Sequence, residues 1–176
     1  MTKEEIQKLA KETLINHGLY SVPVNPVVVA SKLGVRPMHA VFSDPKYSGL
    51  TARRAEGATI LIKENDSLVR KRFSVAHELG HLLLHLRSGT DEIITTEADL
   101  FRIEDSPSES WTQERRREYE ANVFAAELLM PAELVRSYWG QVSPKERTID
   151  TMANIFQVSD AAMAIRLQDL GLFEHE

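Results

Sequence analysis

The stretch "RFSVAHELGHLLLH", residues 72–85, constrains this chain more than any other. It is apolar almost throughout, so it must be buried. It nevertheless carries three of the six histidines, His77, His81 and His85, spaced four apart, with Glu78 beside the first. Residues four apart lie one turn apart on the same face of a helix, so His77 and His81 can point at one ion. Two imidazoles on a buried helix need polar partners, and a metal supplies both at once. Gly80 costs roughly 1 kcal/mol in a helix interior, so its presence predicts a close approach of another backbone. The alternative is a chance HExxH match on a core helix, since the motif is short.

With no cysteine in the chain, disulfides and thiolate ligands are excluded, and a metal must be held by His, Asp or Glu. Zinc fits best, because two imidazoles and a carboxylate leave a fourth position open. Glu78 sits one step round the helix. It can reach a water on the ion but not the ion itself, the place of a general base. His85 continues the histidine face, but it stands ~12 Å along the axis from His77, too far to share one ion. It is expected to support the ligands from behind or to serve packing alone. The third histidine of a metzincin would fall at position 87, which is Arg87.

A third ligand is expected in "REYEANVFAAELLMP", residues 117–131, which offers Glu118, Glu120 and Glu127. At 100° per residue, Glu118, Ala121, Asn122, Ala125, Leu128 and Leu129 share a face, and Glu120, Val123 and Glu127 fall opposite. The apolar face must meet the core that holds the histidine helix, which selects Glu118. Small Ala121 and Ala125 allow close approach. Asn122, one turn on, is placed to hydrogen-bond a ligand imidazole. The alternative is that Glu118 pairs with Arg115 at a helix start, where negative charge is favourable in itself.

Around these segments the chain reads as α+β, a small antiparallel-rich sheet packed on the histidine helix, followed by a mainly helical C-terminal part. Thr2 and Glu5 have capping-box spacing, and Asn25-Pro26 opens a short helix ending at Gly34. "VRPMHAVF", "YSGLTARR" and "ATILIKE" read as strands, the last expected at the sheet edge beside the histidine helix, where an extended peptide could add. Residues 87–112 read as a long acidic loop with one short helix near 95–102. A helix from about Gln113 stops at Pro131, and three short helices follow, the last two joined at Val158-Ser159. Residues 1–140 are expected to form a zincin-like domain, with 141–176 a helix-turn-helix-like subregion packed on it.

The net charge of −5 argues against a dedicated nucleic-acid binder, which needs clustered Lys and Arg. The stretch "MANIFQVSDAAMAIRL" has a helix-turn-helix rhythm but one Arg and no Lys, so direct nucleic-acid binding is not expected. No apolar run approaches the ~20 residues of a membrane span, and the N-terminal stretch lacks an apolar signal region. No membrane partner and a cytoplasmic location are the expectations.

Taken together, "RFSVAHELGHLLLH" and "EYEANVFAAELLMP" resemble the ImmA/IrrE family of zinc metallo-endopeptidases, over residues 20–140, with no departure at the ligand positions. The resemblance implies a gluzincin-like site: one zinc on His77, His81 and Glu118, with Glu78 as base. It also implies a protein substrate, a helix-turn-helix repressor encoded nearby whose inactivation relieves repression of stress-response or mobile-element genes. A zinc-stabilised partner that sequesters a repressor or toxin without cutting it is the competing reading. Tyr47, Tyr138 and His85 are candidates for the donor that stabilises a tetrahedral oxyanion.

Overall fold

The structure is a computed structural model that describes residues 1–86, 89–100, 108 and 110–173. Helix α1 (Lys3–Asn16) starts at a capping box in which the Thr2 side chain and Glu5 satisfy each other's backbone donors. Helix α2 (Pro26–Lys32) is capped by Asn25 with Pro26 at its first position, and Gly34 follows at φ 75°, a conformation that costs glycine nothing. Strands β1 (Met38–Ala40), β2 (Tyr47–Arg54) and β3 (Gly57–Lys63) come next, then helix α3 (Leu68–Leu84), which carries the histidines. Strand β4 (Asp91–Thr96) precedes helix α4 (Gln113–Leu129). Helices α5 (Ala132–Gln141), α6 (Ile149–Phe156) and α7 (Asp160–Asp169) end the fold. The α+β expectation holds, as does the helical C-terminal part.

The sheet order is β1-β3-β2-β4, with β1 parallel to β3 and the other pairs antiparallel. This corrects two expectations. Strand β3, the "ATILIKE" segment, is internal: β1 covers the edge that was expected to be free. A strand also forms inside the acidic stretch, with turns at 97–100 where a short helix was expected near 95–102; residues 101 and 102 lie outside the described residues. Ile93, Ile94, Thr95 and Thr96 are all β-branched, which favours a pleated surface over a helix, and β4 ends the sheet among the described residues. Thr95 is fully buried while Ile94 is 43% exposed, as period-two alternation requires. Much of the remaining 87–112 segment lies outside the described residues.

Helices α3 and α4 pack so closely that a Cβ on Gly80 would stand 3.0 Å from Ala121 Cα and 3.2 Å from Ala121 O. This is the approach that Gly80 predicted. One core runs from Ile6 and Leu14 of α1 through Leu79 and Phe124 to Phe156, Met163 and Leu167. The two-sided picture of α4 needs correction. Glu120 and Glu127, assigned to its outer side, are 8% and 4% exposed. Helix α4 meets α1 as well as α3, and Glu127 is paired with Arg166 of α7, whose Nε also donates to Met130 O at 3.0 Å. Arg166 is the one cation in the 148–170 helix pair. It is spent on this internal clamp and is not offered to a phosphate.

No described helix is long and apolar enough to cross a membrane.

Candidate metal centre

Three of the residues singled out above converge. His77 Nε2 lies 2.9 Å from His81 Nε2 and 3.0 Å from Glu118 Oε2, and His81 Nε2 lies 3.3 Å from the Glu118 carboxylate. Both histidines are fully buried, and the Glu118 side chain is 14% exposed. Arg115, the alternative partner for Glu118, instead stacks over Trp111 with its guanidinium carbon 4.7 Å from the ring centre.

Electrostatics single the cluster out. Burial raises the Glu118 carboxyl, but hydrogen bonds from His77 and His81 overcome it and bring the pKa down to about 2. Burial depresses His77 too, yet the Glu118 carboxylate leaves its pKa raised overall. His81 is lowered to about 4, chiefly by burial. Two imidazole nitrogens and a carboxylate oxygen facing one another favour a positive charge among them, whether a proton or a metal ion. Tetrahedral zinc ligands at ~2.0–2.1 Å would themselves stand about 3.3 Å apart, close to the spacings seen. The donor set and its geometry fit one zinc ion.

The neighbours are equally specific. Asn122 Oδ1 is 2.8 Å from His77 Nδ1, and its amide nitrogen donates to Asp99 O at 2.8 Å. Glu78 is fully buried, with its carboxylate against strand β2. Thr51 of β2 donates to its Oε2 at 2.5 Å, while Oε1 has no hydrogen-bond partner among the described residues. Burial raises this carboxyl to about 7, against the lowering effects of His77 and Thr51. The Thr95 hydroxyl of β4, also buried, faces the same carboxylate without a formed hydrogen bond.

Sequence reasoning missed Thr51, Thr95 and Gly49. A Cβ on Gly49 would fall 2.0 Å from Glu78 Oε1, so only glycine leaves room for that oxygen. The signal was present: a glycine inside a strand pattern marks a close approach. Of the candidate oxyanion donors, Tyr138 packs edge-on against Phe156 and Tyr47 against Phe42. His85 has both ring nitrogens engaged, with His81 and Glu120.

Comparison with known proteins agrees with this chemistry. The family model of the IrrE N-terminal-like domain (peptidase M78) matches residues 30–168. A curated relative, uncharacterized immunity region protein 2 of Bacillus phage phi105, is 34% identical over 94 residues, which are 53% of this chain and 49% of that protein. The chain thus spans about half the length of the curated relative it matches.

Proposed function

The chain belongs to the IrrE N-terminal-like (ImmA/IrrE) family of metallopeptidases, and on that footing we propose that it is a zinc-dependent endopeptidase cutting one specific protein, a helix-turn-helix repressor encoded beside it. The observation that carries the reading is the cluster of His77, His81 and Glu118 next to a buried carboxylate, Glu78, with one oxygen unpartnered. The name of the phage relative, an immunity region protein, is the support for a regulatory substrate. Residues 1–140 are the peptidase unit in this reading, and 141–176 a helical subregion packed on it.

His77 and His81 would hold zinc through Nε2 and Glu118 through a carboxylate oxygen. The bound ion supplies Lewis acidity, polarising the carbonyl to be attacked and acidifying the attacking water. Glu78 Oε1 takes the proton from that water and passes it to the leaving amine. Burial raises this carboxyl to about 7 in the metal-free protein, and a nearby cation would favour its carboxylate, the form that accepts the proton. Thr51 holds Oε2 and so fixes the carboxylate's orientation. Asn122 Oδ1 accepts from His77 Nδ1–H, because its own amide nitrogen is engaged with Asp99 O.

The substrate docks as an extended strand on the outer edge of β4, whose Thr95 reaches toward Glu78. Main-chain hydrogen bonds supply the affinity in such strand addition. Ile93 and Ile94 are successive strand residues, so their N–H groups face opposite edges. Of the variants Ile93→Pro and Ile94→Pro, one is expected to keep urea stability and lose cleavage, and the other to lose stability. Equal stability and equal cleavage in both would remove β4 as the docking edge.

To test the function, the neighbouring repressor is co-expressed with the protein, and repressor length by mass spectrometry is followed together with target-promoter activity. A discrete fragment appearing with derepression is expected. Derepression with intact repressor would leave a sequestering partner instead.

A further inference from the structure

We propose that Glu120 is a positioning residue for His81, acting through His85: it fixes the tautomers of both rings so that the His81 Nε2 lone pair faces the ligand cluster. The inference rests on the proposed metal site. His85, the residue that caps α3, lies with Nε2 2.9 Å from Glu120 Oε2 and Nδ1 3.0 Å from His81 Nδ1. The three side chains are nearly buried, at 0% for His81, 7% for His85 and 11% for Glu120. Glu120 Oε1 accepts from the Met1 ammonium at 2.8 Å.

The proton positions follow from valence. A carboxylate has no proton to give, so His85 Nε2 must carry one and donate it. A neutral imidazole protonated at Nε2 offers a bare lone pair at Nδ1. That lone pair faces His81 Nδ1, and two lone pairs 3.0 Å apart repel, so His81 Nδ1 carries the hydrogen. His81 Nε2, 2.9 Å from His77 Nε2, is then the free donor. His77 is oriented by a shorter route, the Asn122 amide oxygen at its Nδ1. An amide thus orients one ligand, and a histidine–carboxylate pair two links long orients the other. Ligand histidines held through their second nitrogen are a general feature of metal sites; here the outer carboxylate acts at one remove, from the same helix as Glu118.

The test is long-range proton–nitrogen correlation NMR on metal-free protein with 15N-labelled histidine, alongside zinc titration. In the wild type, His81 and His85 should show opposite tautomers, Nδ1–H and Nε2–H. Glu120→Gln keeps a carbonyl acceptor, and should retain both tautomers and a zinc Kd within a few-fold of wild type. Glu120→Leu should scramble them and raise the zinc Kd about 10–100-fold. His85→Phe breaks the same link with Glu120 intact and should match Glu120→Leu, which covers the case where the leucine variant fails to fold. Wild-type tautomers and wild-type zinc affinity in Glu120→Leu or His85→Phe would overturn the proposal, as would a wild-type His85 protonated on both nitrogens. If the wild type binds no zinc, the metal reading fails by itself, while opposite tautomers lost in Glu120→Leu would still uphold the relay.

Discussion

Glu78→Gln should cut repressor cleavage by about 10²–10⁴-fold, the usual worth of a general base, and should also make the metal-free protein more stable at neutral pH. The second effect comes from the burial of Glu78. Its carboxyl titrates at about 7 when folded against 4.5 for the free group, so the folded state holds this proton more tightly than the unfolded chain does. The contribution of Glu78 to stability is therefore greatest below pH ~4.5, falls as pH rises from there to 7, and stays at the lower level above. The full cost is roughly 3 kcal/mol, at 1.36 kcal/mol per pKa unit. Glutamine has no proton to lose and escapes it. Urea denaturation of metal-free protein should show the variant ahead at pH 7.5 and level with wild type at pH 4. In zinc-loaded protein the gap should shrink, because a nearby cation favours the carboxylate. A variant less stable at both pH values would mean that Glu78 is satisfied in the fold and not held there at a cost.

Loss of any one cluster ligand should remove the zinc. His77→Ala, His81→Ala and Glu118→Gln are each expected to yield protein without stoichiometric metal by elemental analysis, and with no cleavage. Zinc at a thousand times its Kd stabilises the folded state by about 4 kcal/mol. Wild type should lose that margin on chelation, and the ligand variants should be indifferent to chelator. Glu118→Gln carries a further penalty of opposite sign to Glu78→Gln. The Glu118 carboxyl is lowered to about 2, so its contribution is present above pH ~4.5 and is lost as pH falls toward 2. At neutral pH the metal-free glutamine variant should thus be weaker by a few kcal/mol. Two glutamates in one site would then shift stability in opposite directions. Full zinc in any ligand variant would sink the assignment.

The parts of this molecule that were legible beforehand are those set by local signals. The capping box at Thr2 and the cap at Asn25 both form, and the 3.6-residue period of α3 and α4 is strong enough to place His77, His81, Glu118 and Asn122 on facing surfaces. What escaped depends on which elements become neighbours. Helical phase can say that Glu120 and Glu118 point apart, but not that α1 lies on the far side of α4. Strand β3 looked like an edge because nothing in "ATILIKE" announces that Met38–Ala40 will pair with it. Strand β4 was hidden by the acidic residues around it, although its four β-branched residues were visible. Thr51 becomes a partner of Glu78 only once the sheet register is set.

The contact between Gly80 and Ala121 has a consequence for ion choice. Two of the proposed ligands ride on α3 and the third on α4, so the gap between these helix axes would be the bite of the site. That gap is set where a backbone sits against a missing methyl group, one residue before His81 and three after Glu118. The helices cannot close further, and opening them would empty part of the core around Leu79 and Phe124. The ligand types alone would accept several divalent metals, since imidazole and carboxylate discriminate poorly among them. A gauge built from helix packing adds a size requirement that the ligands do not carry, favouring a small tetrahedral ion over a larger one that needs more ligands and longer bonds.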